Sequence, residues 1–218
     1  MPQPDSSVTA TALEALATHK KPDLEEATTA AISDSSFLQQ LFLGLTSKND
    51  VLRYNCFKVL QEVSARNPAS LYPRWGDLLP LLDSPNAYHR SVAVRLLANL
   101  SHSDADRRFA PILDRYFGLL DDEKILTARY LVAAVPTIVE AYPDLIPLAT
   151  AKLLAVDGTH HPQGRKDLLK GDIVEAFDAL FVQVPDRERV ISFVRAQLKS
   201  SSPRTRKAAR TFLERHGG

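Results

Sequence analysis

The sequence predicts an all-α protein in which pairs of helices repeat along the chain as an α-solenoid. Strand signals are absent, because no long stretch alternates apolar and polar residues and no Asn-Gly or Asp-Gly turn joins two such stretches. Apolar residues instead recur at helical spacing in about twelve segments that are separated by short turns. In addition, a helix start that contains an arginine occurs three times, beginning at Asn49, Pro85 and Pro203.

The spacing of basic residues at these helix starts gives the repeat length. Successive members of the series Arg53, Arg90, Arg129, Lys170 and Arg206 are 37, 39, 41 and 36 residues apart. A helix-pair repeat of this length is typical of an α-solenoid. One pair cannot bury its apolar faces alone, so stacked pairs are expected to share one continuous core.

The first three helices are predicted from signals near the N-terminus. Helices are expected over about 7–19 and 22–33, and Pro22 opens the second of them, whose first turn is acidic. Acids at this end suit the positive pole of the helix dipole. Ser33 or Asp34 is expected to cap the third helix.

The next four helices follow the same pattern of turn and apolar stripe. Asn67-Pro68 ends the fourth helix, and Ser84-Pro85 supplies a cap and a first-turn proline for the sixth. The predicted segments run over about 49–65, from near Pro73, over about 86–101 and over about 105–119.

The eighth helix begins at Asp121-Asp122 and is apolar on nearly all sides from Ile125 to Val139. Such a helix is expected in the middle of a stack. Pro136 is expected to kink it or split it. The remaining predicted helices run over 143–155, over about 164–183, from Pro185 and from Pro203 to about Arg215.

The repeated helix starts resemble the HEAT-repeat, or armadillo-like, family. Its second helices typically open with Asp-x-x-Val-Arg-x-x-Ala, and three stretches are similar to that motif: Asp50–Cys56, His89–Ala93 and Thr205–Ala209. Leu126–Arg129 is a looser match. The motif is specific for the fold and says almost nothing about function.

The resemblance implies a right-handed α-α superhelix in one domain. Residues 35–218 would hold about five helix pairs, and residues 1–34 would form N-terminal capping helices of the same domain. The resemblance also implies that the repeated arginines bond an acid or a carbonyl of the next repeat, as a structural ladder of Arg53, Arg90 and Arg206.

Composition and charge bear on the class of partner and on the compartment. The net charge of +1 gives no overall attraction to nucleic acid or membrane, and no apolar run reaches the ~18–20 residues of a membrane span. The N-terminus shows no secretory signal, and the single Cys56, on an apolar stripe, suits a reducing compartment. We therefore expect a cytoplasmic protein without membrane association.

Residue patterns for catalysis or metal binding are missing from the sequence. None of the six histidines is followed by Glu or paired at the i, i+4 spacing of a helical zinc site. His160-His161 is interpreted as a solvated loop, and His102–Asp106 as a turn with capping carboxylates. There is no nucleophile motif and no Gly-rich phosphate loop. We expect no enzyme activity, no cofactor and no metal.

Basic side chains form the one candidate binding surface, here called the basic ridge. They are either solvated faces or a ridge along one edge of the solenoid, and the sequence leaves both open. The net charge of +5 over residues 199–218 and the basic start of the last helix point to an anionic partner. The candidate residues are Lys58, Arg95, Arg165, Lys166, Lys170, Arg204, Lys207 and Arg210.

The function expected from these observations is a protein–protein interaction scaffold that presents a concave surface, with a partner that has an acidic surface. One alternative is a nucleic-acid-binding module that uses the basic ridge. The other is an enzyme of the HEAT-like lyase or DNA glycosylase kind. Aromatic residues interleaved with the basic stripe would favour nucleic acid, and a buried acid beside a solvent-facing cavity would favour an enzyme.

Overall fold

The computed structural model describes the backbone of residues 6–217 and the side chains of residues 11–217. Within this part of the chain every regular element is a helix, which confirms the all-α fold class. The chain divides into two compact units, the first ending at Leu81 and the second beginning at Leu82. No helix of the described residues is long and apolar enough to cross a membrane.

In the first unit, α4 is the central element. It packs against α1, α2 and α3, and its buried stripe includes Cys56, Val59, Leu60 and Val63. The Nδ2 group of Asn55 donates hydrogen bonds to carbonyl oxygens at the end of α1. The helices of this unit are α1 (Ser6–Thr18), α2 (Leu24–Ser33), α3 (Ser35–Gly44), α4 (Asp50–Arg66), α5 (Pro68–Leu71) and α6 (Trp75–Leu78).

In the second unit, four long helices pack in series. The pairs in contact are α7 with α9, α9 with α11, and α11 with α13, while α10 packs on α9 and α12 on α13. The helices of this unit are α7 (Ala87–Leu100), α8 (Leu113–Gly118), α9 (Ile125–Ala141), α10 (Ile146–Leu154), α11 (Gln163–Leu180), α12 (Arg187–Ala196) and α13 (Pro203–His216).

Helix α9 occupies the central place that its apolar sequence predicts. Leu131, Val132, Val135 and Ile138 are fully buried between the neighbouring helices α7 and α11. Pro136 does not split the helix, which runs without interruption to Ala141. Packing on both flanks therefore outweighs the one backbone hydrogen bond that a proline removes.

The two short helices α5 and α6 replace the single fifth helix that the sequence predicts from Pro73. Pro68 stands at the first position of α5 rather than merely ending α4, and 3₁₀ turns interrupt the segment over Tyr72–Arg74 and Leu79–Asp83. Counted as one interrupted helix, α5 and α6 bring the total within residues 6–217 to the predicted twelve. Trp75, at the start of α6, is buried.

Helix caps differ from prediction at two of the turns. Asn86, not Ser84, caps α7, because its side-chain oxygen accepts a hydrogen bond from the amide of Tyr88 at 3.0 Å. The acidic run that begins at Asp121 lies before α9, which starts at Ile125. Asp121 accepts a hydrogen bond from the amide of His160, and Asp122 and Glu123 pair with Arg90.

Close packing of α11 on α13 depends on Gly171. A Cβ atom added there would lie 2.5 Å from Thr205 Oγ1 and 3.3 Å from Thr205 Cα. That hydroxyl is itself fixed, because it donates a hydrogen bond to the carbonyl of Asp167 at 2.6 Å. The two helices can approach this closely only where one of them lacks a side chain.

We expect Gly171→Ala to lower the free energy of unfolding by about 1–3 kcal/mol, because overpacking forces the two helices apart. Gly164→Ala is the matched control, since no atom lies within 4 Å of the added methyl group. Urea denaturation followed by circular dichroism measures both variants. Equal midpoints for the two would show that α11 and α13 do not pack as described.

Candidate interaction surface

Three repeated arginines make the same local bond. In each, the Nη1 group donates to the carbonyl oxygen of the residue six positions earlier, in the turn before the helix. We call this bond the turn clamp. It joins Arg53 to Ser47 at 2.8 Å, Arg90 to Ser84 at 2.7 Å and Arg206 to Ser200 at 2.6 Å.

Two arginines also bond an acid that belongs to the next long helix or the turn before it. Arg90 Nε lies 2.5 Å from Asp122 Oδ2, and its Nη2 donates to Oδ1 of the same carboxylate at 3.0 Å. Arg129 contacts Asp172 through the same pairs of atoms, at 2.5 and 3.1 Å. This paired geometry gives a charged hydrogen bond both strength and direction.

The structure places the predicted ladder residues in different settings. Arg90 of α7 reaches Asp122 in the turn before α9, and Arg129 of α9 reaches Asp172 of α11 with the same geometry. Arg53 bonds Asp50 of its own helix and Ser47. Arg206 belongs to the last helix and bonds the turn in front of it.

Opposing effects set the pKa of Asp122. Burial raises the pKa of this carboxyl. Hydrogen bonds from Arg90 and from the amide of Lys124, together with the charge of Arg90, lower the pKa by more than burial raises it. The pKa of Asp122 therefore lies below its ordinary value. The hydrogen bonds that Arg90 donates to Asp122 correspondingly raise the pKa of Arg90. Both groups therefore stay charged at neutral pH, although their side chains are nearly buried.

Three residues of the basic ridge already bond other parts of the protein. Lys170 is buried, and its ammonium lies 2.6 Å from a carboxylate oxygen of Asp157, whose carbonyl accepts a hydrogen bond from Lys166. Arg204 is exposed but bridges Asp172 at 2.8 Å and Glu175 at 2.9 Å. The sequence pattern shows which positions are basic but does not show which acids approach them in space.

Two further ridge residues lie over tyrosine rings. The ammonium of Lys58 is 4.6 Å from the centre of the Tyr54 ring in the first unit. In the second unit, the guanidinium of Arg95 is 4.7 Å from the Tyr130 ring centre, which links α7 to α9. Cations placed in this way are attracted by the ring face. Of the remaining ridge residues, Arg165, Lys207 and Arg210 are exposed.

A solvent-open cleft of about 420 Å³ lies along α9 and α11 and is called here the first cleft. One wall is apolar, with Leu126, Tyr130, Ala133 and Pro136 from α9. Leu126 is 49% exposed, which is unusual for a leucine on the central helix of a stack. The polar part of the lining consists of Arg129, Asp172, Glu175 and Arg204.

A second cleft of about 400 Å³ lies between α11 and α13. It shares Glu175 and Arg204 with the first cleft, so that the two openings adjoin. Its other charged lining residues are Asp178, Lys207 and Arg215. Together the two clefts expose a continuous strip of α9, α11 and α13.

Asp172 is a buried acid beside a solvent-facing cavity, the feature expected of an enzyme. Its carboxylate, however, is bound by the guanidinium groups of Arg129 and Arg204. An ion-paired carboxylate with both oxygens bonded is poorly suited to take a proton from a substrate. The geometry therefore gives Asp172 a role in holding three helices together.

The solvated loop expected for His160-His161 holds for one of the two residues: His160 is half exposed, whereas His161 is buried. His161 is 2% exposed, and its Nε2 group lies 3.3 Å from the carbonyl of Leu120. His160 lies 2.5 Å from Asp121 and stacks on His161. Among the described residues, no group of three or more metal-ligating side chains occurs.

Two other candidate groups have structural roles. Asp104 is buried and accepts hydrogen bonds from the amides of Arg108 and Phe109, and from the hydroxyl of Tyr142. The run over 102–106 is thus a turn held by a carboxylate, as the sequence suggests. Burial raises the pKa of the Cys56 thiol to about 12, so this cysteine is an unreactive core residue.

Sequence reasoning missed the acidic and aromatic members of the clefts: Tyr130, Asp172 and Glu175. The repeat spacing gives no signal for Asp172, because this residue follows Arg129 by 43 residues, outside the range of 36–41 found for the basic series. The sequence gives no signal for Tyr130 either, because its pairing with Arg95 depends on how α7 and α9 align.

Comparisons with known proteins do not identify a family for this chain. No protein-family model matches the chain, and no curated protein matches it. A crystal structure of an engineered protein, solved as a structural-genomics consortium target, is similar at 17% sequence identity with a TM-score of 0.46. That match covers 98% of this chain and 97% of the other. Similarity at this level says nothing about function.

We expect Asp122→Asn to lower the free energy of unfolding by about 2–4 kcal/mol, because the nearly buried Arg90 then keeps only the exposed carboxylate of Glu123 as an ionic partner. Asp83→Asn is the matched control. Asp83 pairs with Arg115 at 2.5 Å, but its side chain is 68% exposed, so the cost should stay below about 1 kcal/mol. Guanidinium denaturation at pH 7 compares the two, and equal losses would contradict the burial of the Arg90 pair.

The stability difference between wild type and Asp122→Asn should also depend on pH. The folded-state pKa of Asp122 is depressed, so its contribution is fully present above the ordinary aspartate pKa of about 3.9 and is lost as the pH falls through the lower folded value. We therefore expect a constant difference between about pH 5 and 8 that shrinks below about pH 4. A difference that grew on acidification would reverse the assigned sign.

Proposed function

We propose that this chain is an interaction module of the HEAT-like solenoid kind, which binds a segment of a partner protein along α9, α11 and α13. The carrying observation is the exposed apolar wall of α9, with Leu126 and Ala133 facing solvent beside fixed charged groups. In this proposal the helices of residues 1–34 cap the array.

The physics of the strip supports binding. An exposed leucine and a half-buried tyrosine gain free energy when a partner covers them, at about 25 cal/mol per Å² of apolar surface removed from water. The neighbouring Asp172 is paired with arginines of α9 and α13, and Arg204 is paired with two acids of α11, so both side chains lose little freedom when a partner arrives. Preorganised polar groups beside an apolar wall are typical of a recognition surface.

A binding strip for nucleic acid is the second candidate, and one observation favours it. Cations lie over tyrosine rings in both units, at Lys58 with Tyr54 and at Arg95 with Tyr130. Bases stack on such rings while cations bind phosphates. The pairing of Lys170 and Arg204 with acids counts against it, because these side chains would have to leave carboxylates in order to bind a phosphate backbone.

We expect Ala133→Arg to abolish capture of partner proteins by the full chain. Ala133 is exposed and lines the first cleft, so a long cationic side chain there fills the cleft without disturbing the core. Ala196→Arg is the matched control, since Ala196 is exposed on α12 and lines neither cleft. Affinity capture from the native lysate, with nuclease present, is compared by mass spectrometry.

Proteins retained by wild type and by Ala196→Arg but lost with Ala133→Arg would support the proposal. Capture that disappears on nuclease treatment would favour the nucleic-acid candidate instead. If wild type, Ala196→Arg and Ala133→Arg capture the same proteins, the first cleft is not the binding site. Circular dichroism of each variant verifies that the helices are retained.

A further inference from the structure

We infer that the bound segment is an acidic-apolar one, with a carboxylate that pairs with Lys207 and an apolar side chain that covers the α9 wall. This inference rests on the proposed function and names the chemistry of the partner. It follows from which charges in the two clefts are already paired and which are open.

The acids of the clefts are engaged within the protein. Asp172 binds Arg204 at 2.8 Å in addition to Arg129, and Arg204 also binds Glu175 at 2.9 Å. The third acid has its own partners too, because Asp178 is paired with Arg215 and with His216. A basic partner would therefore have to displace an arginine before it gained an acid.

Lys207 is the open charge of the strip. It is exposed, lines the second cleft, and makes no ion pair or hydrogen bond to any of the described residues. Its position one helical turn after Arg204 places it beside the point where the two clefts adjoin. A carboxylate brought to this place meets an unpaired ammonium and disturbs no existing pair.

The place of the ligand's apolar side chain follows from the exposed face of α9. Leu126, Tyr130 and Ala133 lie at the i, i+4, i+7 positions of one helix face and line the first cleft. Neighbouring helix axes lie about 8–10 Å apart, so the span from α9 to α13, two spacings, is about 16–20 Å. An extended segment covers this span in about five or six residues at roughly 3.3 Å each.

The inferred ligand is therefore a short extended segment with an acidic residue about five or six positions from a large apolar one. Its backbone would cross α11, whose Glu175 lines both clefts together with Arg204 of α13. Purely apolar segments would leave Lys207 unpaired, and polyanions without an apolar group would leave Leu126 in water. The chemistry of the strip selects for both features in one chain.

The test uses the full chain to select from a display library of random 15-residue peptides, followed by synthesis of the enriched peptides. Fluorescence anisotropy then measures their affinity for wild type, for Lys207→Glu and for Lys199→Glu. Lys199 is exposed and lines neither cleft, so it is the matched charge-reversal control. Binding of single-stranded RNA is measured in parallel.

We expect enriched peptides to carry Asp or Glu together with a large apolar residue at the stated separation. Lys207→Glu should weaken their binding at least about tenfold, the size expected of a charged contact worth about 1.4 kcal/mol, whereas Lys199→Glu should change it less than twofold. A peptide whose acid is changed to Lys should regain affinity for Lys207→Glu, which a folding defect could not produce.

Several outcomes would overturn the inference. Selected peptides that lack acids, or that bind Lys207→Glu as tightly as wild type, refute the acidic partner, while the proposed function survives if Ala133→Arg still abolishes their binding. If Ala133→Arg still binds every selected peptide, both the inference and the proposed function are refuted. Selection of no peptide, or RNA binding that Lys207→Glu removes, assigns the strip to another class of ligand and also refutes it.

Discussion

The serial packing of long helices is the constraint on which the second unit depends. Each of α7, α9 and α11 buries apolar residues against the next long helix, and α9 is covered on both flanks. Packing on both flanks buries the sides of α9 that meet α7 and α11, but it leaves another face of the helix uncovered. Leu126, Tyr130 and Ala133 lie on that face and keep access to solvent. The core and the candidate interaction surface are thus two results of one arrangement.

Charged contacts set the alignment of these helices. Arg90 fixes α7 to the turn before α9, Arg129 fixes α9 to α11, and Arg204 fixes α13 to the same carboxylate of Asp172. Apolar packing alone tolerates sliding, whereas paired hydrogen bonds to one carboxylate have a definite geometry. The ion pairs that align the helices also occupy the acids of the clefts. The charge that remains unpaired in the clefts is therefore positive.

Much of the fold could be predicted from the sequence, but less of the surface. Helical spacing and proline positions locate the helices and the central place of α9, since these signals are local. The setting of Lys170, the burial of His161 and the pairing of Arg204 could not be predicted. Each depends on a partner from a different helix or turn, and periodicity says which face a residue lies on without saying what meets it.

The turn clamp has a consequence for how such a chain can change in length. Arg53, Arg90 and Arg206 each tie a helix start to a carbonyl only six residues earlier, so the turn and the helix form a self-sufficient segment. A duplicated segment carries its own means of shaping its entry turn and needs only a neighbour to pack on. Insertion or loss of one turn together with its helix would then leave the remaining clamped turns intact.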